Sequence, residues 1–257
     1  MSASIAARAL QKVFFDEGRG EVRAVDGVDF ECHPGEIFGL LGANGAGKTT
    51  TLRMLSTILQ PTAGTATVMD YDVVTEPEKV RRQLGFYSAS TALYPRLTAR
   101  ETIEFFARIN GYPADRLAAR VDELVERFGI GPFAKARVDK LSSGMKQKVS
   151  IARTVAHDPP VLIFDEPTVG LDVINALEMQ KVIAEFRAEG KAIVFSTHIM
   201  SEAERLCDRI AIINNGRILA CDTLSALREA TGHRYLEDIF VHFVRPDQAL
   251  PAVGGRS

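Results

Sequence analysis

One eight-residue segment constrains the possible folds of this 257-residue chain more than any other feature. Residues 42–49 read Gly-Ala-Asn-Gly-Ala-Gly-Lys-Thr and fit the pattern G-x-x-x-x-G-K-[ST]. The segment follows an apolar run over residues 36–41, which predicts a buried strand. It precedes a helical pattern from Leu52 to Leu59 that Pro61 ends. A strand, a glycine-rich loop and a helix in this order indicate an α/β fold.

The residue types of this segment, the phosphate loop, suit contact with a nucleoside triphosphate. Glycines allow backbone N–H groups to turn inward, Lys48 supplies positive charge for the β- and γ-phosphates, and the Thr49 hydroxyl suits Mg²⁺. The N-terminus of the following helix adds its dipole. The residues expected to bind the nucleotide here are Gly42, Ala43, Asn44, Gly45, Ala46, Gly47, Lys48, Thr49 and Thr50.

A pair of acidic residues is the second candidate site element. Asp165 and Glu166 follow the apolar run 161–164, so they stand at the carboxyl end of a predicted strand, where open parallel sheets bind ligands. Adjacent side chains on a strand point opposite ways, but both can face the site where the backbone turns. We expect Asp165 and Thr49 to hold Mg²⁺, and Glu166 to polarise the water that attacks the γ-phosphate. Taken without the phosphate loop, the pair could equally be two solvated acids at a strand end.

Strand and helix patterns alternate along the chain, which favours a mostly parallel sheet covered on both faces. A helical block over about residues 95–140 interrupts the alternation, and Thr98 with Glu101 predicts a capping box at its first helix. We expect one domain over residues 1–248 and a loose Pro/Gly-rich tail over residues 249–257. Other predicted strands are short ones within 1–35 and those at 65–69, 192–196 and 210–213, and other predicted helices cover 143–157 and 179–186.

Composition excludes several classes of protein. Lys and Arg number 31 against 33 Asp and Glu, a mildly acidic balance that argues against a dedicated nucleic-acid binder, so no nucleic acid partner is expected. No stretch approaches the roughly 18–20 apolar residues that cross a bilayer. Cys32, Cys207 and Cys221 are scattered, which argues for a reducing compartment and against a disulfide framework or a zinc site.

Three further motifs carry a family resemblance. Residues 141–147, Leu-Ser-Ser-Gly-Met-Lys-Gln, resemble the signature loop of the ABC-transporter ATPases. Residues 170–172, Gly-Leu-Asp, resemble their D-loop, and residues 196–198, Ser-Thr-His, match their switch histidine. The order and spacing of the motifs agree from about residue 5 to residue 245. The resemblance implies a P-loop NTPase core with an N-terminal antiparallel β subdomain and an inserted α-helical subdomain.

The resemblance also implies how the site works. Such subunits bind ATP with Mg²⁺ and act as head-to-tail homodimers, in which Ser143 and Gly144 of one copy close on the nucleotide of the other, with Asp172 nearby. His198 would contact the γ-phosphate and help to place the attacking water.

Phe14, or Phe15 beside it, sits where the family places an aromatic that stacks on adenine. A core aromatic is the alternative for this position.

The sequence departs from the family pattern at a position that most members fill with glutamine. By register Ala89 takes that place, and it cannot ligate metal or water, so any such contact must come from Ser88, Ser90 or a bound water. Ser143 and Met145 replace the glycine and glutamine common in the signature loop. The Ser/Thr-rich stretch over residues 84–91, together with residues 93–98 that follow it, resembles the sodium-export type of bacterial ABC ATPase.

The leading functional hypothesis is an ATPase subunit that drives export through a separate integral membrane permease, with sodium ions as the cargo of the type it resembles. It would lie in the cytoplasm, peripheral on the inner face of the cell membrane. The 84–98 loop and the helical block would contact the permease; Leu93 and Tyr94 are candidates, or else core residues of that block. The alternative is a soluble ABC ATPase acting on ribosomes or DNA, but such proteins usually carry two cassettes or a long coiled-coil insert. An importer subunit is disfavoured because few residues remain for a regulatory C-terminal domain.

Overall fold

The computed structural model describes residues 3–18, 20–89 and 91–245, which form two sheets flanked by helices. One sheet is antiparallel and four-stranded, in the order β2-β1-β4-β5. The other is six-stranded, in the order β10-β9-β3-β8-β7-β6, and is parallel except where β9 meets β10. The strands are β1 (Ile5–Asp16), β2 (Gly20–Cys32), β3 (Ile37–Leu41), β4 (Ala63–Val68), β5 (Tyr71–Asp72), β6 (Leu84–Ser88), β7 (Val161–Asp165), β8 (Ala192–Thr197), β9 (Arg209–Asn214) and β10 (Arg217–Asp222).

The helices are α1 (Lys48–Leu55), α2 (Pro77–Gln83), α3 (Ala99–Ile109), α4 (Leu117–Arg127), α5 (Ser143–Thr154), α6 (Val173–Ala188), α7 (Met200–Leu206), α8 (Leu224–Thr231) and α9 (Leu236–Val244). Short 3₁₀ turns lie at Gly131–Phe133 and Val138–Lys140. The predicted fold class is therefore confirmed, with a mostly parallel sheet, an N-terminal antiparallel sheet and an inserted helical block. Within the described ranges, no helix has the length and apolar character needed to span a bilayer.

The central strands β3, β7 and β8 are buried along their whole length because helices or the second sheet cover both of their faces. Successive side chains of a strand point to opposite faces, so each strand supplies two cores. Phe164 and Phe195 pack with residues of α3 to α6 in one cluster. Ile163 and Val194 pack with α1 and the antiparallel sheet in another.

The helical block is anchored where the sequence predicts its first helix to begin. Thr98 caps α3, its hydroxyl accepting from the N–H of Glu101 at 3.2 Å, while the Glu101 carboxylate accepts from the N–H of Thr98 at 2.8 Å. Ile103 of α3 and Val121 of α4 then pack in the same core cluster as Val149 of α5. The signature loop, residues 141–147, includes the first turn of α5 and is thereby connected to the block.

The structure corrects several predicted bounds. The short strands expected within residues 1–35 are two long antiparallel strands, β1 and β2. The helix after the phosphate loop ends at Leu55, because Thr57 adopts φ +61°, and so it does not reach Leu59. The helix predicted over 143–157 ends at Thr154. The predicted tail, residues 249–257, lies outside the described residues, and the single domain over 1–248 stays a prediction.

Candidate functional site

The phosphate loop joins β3 to α1 and takes the shape that its glycines allow. Gly47, the N-cap of α1, has φ +107°, and a Cβ there would lie 2.5 Å from the carbonyl oxygen of Ala24. At Gly42 an added Cβ would lie 2.5 Å from the carbonyl oxygen of Ile213. Side chains at these positions are therefore excluded by backbone atoms that cannot move aside. A cavity of about 200 Å³ opens beside the loop, lined by Ala24, Asn44, Gly45, Gly47, Lys48, Thr49, Thr50 and Glu166.

Lys48 is buried within the loop and its ammonium already has anionic and carbonyl partners. Its Nζ donates to the carbonyl oxygen of Gly42 at 2.7 Å and to that of Ala43 at 3.1 Å. The same Nζ lies 3.2 Å from Oε1 of Glu166. The structure therefore brings the phosphate loop and the acidic pair into direct contact.

Asp165, the last residue of β7, is buried and faces α1. Its Oδ1 accepts from the Thr49 hydroxyl at 3.2 Å and from the Ser196 hydroxyl at 2.7 Å. A hydroxyl oxygen and a carboxylate oxygen at this spacing are ligand types that Mg²⁺ prefers. The donor set of Thr49 and Asp165 thus fits the metal predicted for it.

Glu166 turns toward the same cavity because its backbone leaves the strand geometry. Its φ is +50°, a left-handed conformation that is uncommon for a residue other than glycine. Its N–H donates to the Ser196 hydroxyl at 3.1 Å, and its Oε1 lies 3.1 Å from Nδ1 of His198. Asp165 and Glu166 therefore both reach the site, although they are adjacent in sequence.

The Glu166 carboxyl is held in its ionised form. Burial by itself would raise its pKa, but the hydrogen bond from His198 and the nearby ammonium of Lys48 outweigh that effect. The pKa of Glu166 therefore lies below its ordinary value. A carboxylate that remains charged at neutral pH can accept a hydrogen bond from water.

The predicted signature residues lie apart from this cluster. Ser143 begins α5, and Ser142 caps that helix by accepting from the N–H of Met145 at 3.3 Å. Ser143 lines a separate cavity of about 550 Å³. Asp172 caps α6, where it accepts from the N–H of Asn175 at 3.0 Å. The backbone and side-chain hydrogen bonds from Asn175 hold the pKa of Asp172 below its ordinary value.

Comparison with known proteins places this geometry in a family. The family model described as ABC transporter matches residues 25–169. The chain is 39% identical to the ABC transporter ATP-binding protein NatA of Bacillus subtilis (strain 168) over 88% of its own length and 93% of that protein. This chain belongs to the ABC transporter ATP-binding family. Its members bind and hydrolyse ATP, so the chain is an ATPase.

Further relatives and solved structures agree with the assignment. The chain is 43% identical to Nod factor export ATP-binding protein I of Paraburkholderia xenovorans (strain LB400), over 81% of its length and 68% of that protein. It superposes on a solved ATP-binding subunit of an ABC transporter with a TM-score of 0.85 at 30% identity, covering 94% of this chain and 99% of the other. It also superposes on a dimeric ATP-binding cassette bound to ADP and Pi in a post-hydrolysis state. The TM-score is 0.78 at 25% identity, and the match covers 86% of this chain and 98% of the other.

The structure also locates the predicted adenine-stacking residue of this ABC ATPase and the position at which it lacks the usual glutamine. Phe14 lies on β1 with 39% of its surface exposed, so it is not part of the core, and Nζ of Lys12 lies 5.3 Å from its ring. Ala89 lines the cavity that Ser143 also lines. Ser88 is buried and pairs in register with Asp165 on the neighbouring strand. Ser90, the other predicted substitute for the missing glutamine, lies outside the described residues.

Sequence reasoning missed Ser196 as a member of this candidate site. Its hydroxyl joins Asp165 to the backbone of Glu166, and the side chain is fully buried. The only sequence signal was a small hydroxyl residue two positions before His198. That signal gives no reason to expect contact with Asp165 and Glu166, which lie 31 and 30 positions earlier. Gln147 was also missed, and its side chain donates to the carbonyl oxygen of Pro167.

Proposed function

We propose that this ABC ATPase hydrolyses Mg-ATP in a site completed by a second copy, and that it drives export through a separate permease. The observation that carries the proposal is the convergence of three chain segments on Glu166. Oε1 of its side chain lies within 3.2 Å of both Lys48 and His198, while Asp165 contacts Thr49.

The contacts of Lys48 support a role in which its ammonium changes partners. In this structure the ammonium pairs with Glu166 and donates to carbonyl groups of the phosphate loop. The triphosphate is the stronger anion, so Lys48 would turn to the β- and γ-phosphates and release Glu166. Glu166 then orients and polarises the attacking water, with His198 beside it to contact the γ-phosphate.

Thr49 and Asp165 would hold Mg²⁺, which neutralises phosphate charge when it is bound. Ser196 keeps the Asp165 carboxylate turned toward Thr49 through its 2.7 Å hydrogen bond. Phe14, exposed on β1, would stack on the adenine ring.

A second copy would complete the site. Ser143 and Gly144 stand at the N-terminus of the twelve-residue helix α5, whose dipole favours an anion. Ser143 lines a different cavity from the phosphate loop of its own chain, so this helix start suits a γ-phosphate held by another copy. Asp172, at the cap of α6, would lie at the same junction. The dimeric state of the solved cassette described above supports a homodimer.

The permease would bind a groove beside the helical block. A cavity of about 570 Å³ lies there, and its lining includes Phe86, Leu93, Tyr94, Phe106 and Arg153. Tyr94 is 53% exposed and packs edge-to-face on the exposed Phe105, while Leu93 is partly buried against the core. Exposed aromatics around a groove are typical of a protein-binding surface.

The names of the relatives support export, and the resemblance of the 84–98 stretch to the sodium-export type supports sodium ions as cargo. In this proposal the chain lies in the cytoplasm, at the inner face of the membrane.

Co-purification from detergent-solubilised membranes of the native cells tests this function. The tagged chain should retain an integral membrane protein, and Tyr94→Asp should lose it because a hydrated carboxylate replaces the exposed aromatic ring that the permease would cover. Leu219→Asp on the distant β10, where Leu219 is also exposed, should keep it. Both variants should hydrolyse ATP in solution like the wild type. If Tyr94→Asp retains the membrane protein, the groove is not the docking site. Inverted vesicles that move no sodium on addition of ATP would contradict the sodium cargo.

A further inference from the structure

A buried polar cluster lies directly behind the switch histidine. Glu202, in the first turn of α7, is 6% exposed. Its Oε2 accepts from the Thr197 hydroxyl at 2.7 Å, and its Oε1 accepts from Nε2 of Gln180 at 3.3 Å. Thr197 and Gln180 are themselves 2% and 7% exposed. The three side chains join β8, α6 and α7 away from the nucleotide cavity.

This cluster is unusual because its only charge has neutral partners. Within the described residues no Lys, Arg or His side chain forms an ion pair with Glu202; its hydrogen-bond donors are a hydroxyl and an amide. Burying a carboxylate in this way costs free energy that a hydrophobic pair would not cost. In addition, Oε1 of Gln180 is buried without a hydrogen-bond partner. An arrangement with these costs calls for a role beyond stability.

The cluster fixes the backbone turn that carries His198. The Thr197 hydroxyl donates to Glu202 and at the same time accepts from the N–H of Ile199 at 3.0 Å. His198 lies between these two residues, and its ring reaches Glu166 at 3.1 Å. The rotation of Thr197, and with it the path of residues 197–199, is therefore set by Glu202.

The same carboxylate reaches the helix that follows the D-loop. Gln180 lies on α6, whose N-cap is Asp172. Glu202 is thus the common acceptor for the strand end that carries the switch histidine and for the helix that begins at the D-loop. We propose that Glu202 is a positioning residue for ATP hydrolysis, which holds His198 against Glu166 and ties that turn to α6. The proposal rests on the proposed function, since it assumes that His198 acts on the γ-phosphate.

The hydrogen-bond chemistry predicts which substitution the site tolerates. In Glu202→Gln the new amide oxygen can still accept from Thr197. The new NH₂ group can donate to the Gln180 oxygen once that side chain rotates its amide; the Gln180 NH₂ group then occupies the position in which the oxygen has no partner, so the number of unpaired groups does not change. Glu202→Ala leaves both the Thr197 hydroxyl and the Gln180 amide without an acceptor. The geometry therefore requires an acceptor at residue 202, not a negative charge.

Steady-state ATPase measurements on the full chain test the proposal. Glu202→Ala should lower kcat roughly 10- to 100-fold, the effect of displacing a reacting group by about 1 Å. The KM for ATP and the nucleotide binding stoichiometry should stay at the wild-type values, because no phosphate-loop contact is touched. Glu202→Gln should restore most of kcat. Thr197→Val, which removes only a hydroxyl, should reproduce the loss, and combining it with Glu202→Ala should add little.

Glu204→Ala gives the matched control. Glu204 lies two residues along the same helix, where it pairs with Arg228 at 3.1 Å, and its removal should leave kcat unchanged. The His198 ring signal in ¹H–¹³C NMR should shift in Glu202→Ala and stay in place in Glu202→Gln. If Glu202 had only a structural role, Glu202→Ala would lower the free energy of unfolding and leave the His198 signal in place. If Glu202→Ala does not fold, Thr197→Val and Glu202→Gln still decide the matter.

Several outcomes would overturn the proposal. They are a Glu202→Gln variant as impaired as Glu202→Ala, an unchanged kcat in Glu202→Ala or Thr197→Val, or a raised KM with normal kcat. A wild-type chain without ATPase activity would instead defeat the proposed function, so the two failures are distinguishable.

Discussion

In the proposed function, Lys48 is the residue on which nucleotide binding most depends. Its Nζ is held by two carbonyl oxygens of the phosphate loop and by Glu166, so it stands where phosphate oxygens would replace those partners. Lys48→Ala should weaken ATP binding by about 10- to 100-fold, since charge-assisted hydrogen bonds are worth about 1.5–3 kcal/mol. Isothermal titration calorimetry measures this directly. Lys135→Ala, an exposed lysine of the helical block, should bind like the wild type. Equal ATP affinities of the wild type, Lys48→Ala and Lys135→Ala would show that Lys48 does not bind the nucleotide.

His157, which lines the groove, makes stability depend on pH. Both of its ring nitrogens are buried, and this burial lowers its pKa to about 4, although a weaker interaction with the backbone of Leu84 acts in the opposite direction. An unfolded histidine has a pKa near 6.5, so between about pH 6.5 and pH 4 the unfolded chain binds a proton that the folded chain does not. This residue therefore lowers stability as the pH falls through that window and has no effect above it.

The variant His157→Leu should lose less stability than the wild type on acidification. The loss of unfolding free energy should be smaller in the variant by up to about 3 kcal/mol at pH 4, at about 1.4 kcal/mol for each pKa unit. Urea unfolding at pH 7 and at steps down to pH 4.5 measures the difference. Parallel curves for the two proteins across this range would show that His157 is not kept neutral by burial.

At the scale of elements, the helical block depends on the cap of α3. Thr98→Ala removes the hydroxyl that accepts from the N–H of Glu101, and such caps are worth about 1 kcal/mol. The free energy of unfolding in urea should fall by that amount. Glu104→Ala, which deletes only an i,i+4 pair with Arg108, should cost about 0.3 kcal/mol. A Thr98→Ala protein as stable as the wild type would contradict the capping role.

The elements that the sequence predicted well are those whose signals are local. The phosphate loop, the Thr98 cap and the apolar strands β7 and β8 each show in a few adjacent residues. The turn at Glu166 could not be foreseen in detail. Its φ of +50° and its contact with Ser196 depend on the pairing of Asp165 with Ser196 across β7 and β8, residues 31 positions apart.

Shorter helices escaped sequence analysis for a related reason. α2 and α7 have seven residues each, about two turns, which is too short for a periodic pattern to stand out. The Glu202 cluster on α7 was missed with them, because a buried glutamate looks like a solvent-facing one until its partners are placed. The Asp172 cap made α6 longer than its apolar residues had indicated.

At the scale of the whole molecule, the proposed function gives a single chain two half-sites. Lys48, Asp165, Glu166 and His198 form one cluster, whereas Ser143 lines a different cavity. Hydrolysis in this account requires that the signature loop of one copy meet the phosphate loop of the other. In this account the two copies therefore associate after ATP binds, and the dimer opens again after hydrolysis.

Light scattering of the Glu166→Gln variant tests that claim most directly. Its amide cannot polarise water as a carboxylate does, so hydrolysis should nearly stop while Lys48 and Thr49 still bind ATP. With saturating Mg-ATP the mass should double from 28.1 kDa, and with ADP it should remain at 28.1 kDa.

Gly144→Asp in the same background provides the control. A Cβ added there would meet only Leu171, at 3.9 Å, so the backbone of the monomer accepts a side chain at this position. Its charge, however, would repel the γ-phosphate of a second copy. This double variant should bind ATP and stay monomeric. A Glu166→Gln protein that binds ATP and keeps a mass of 28.1 kDa would contradict the account.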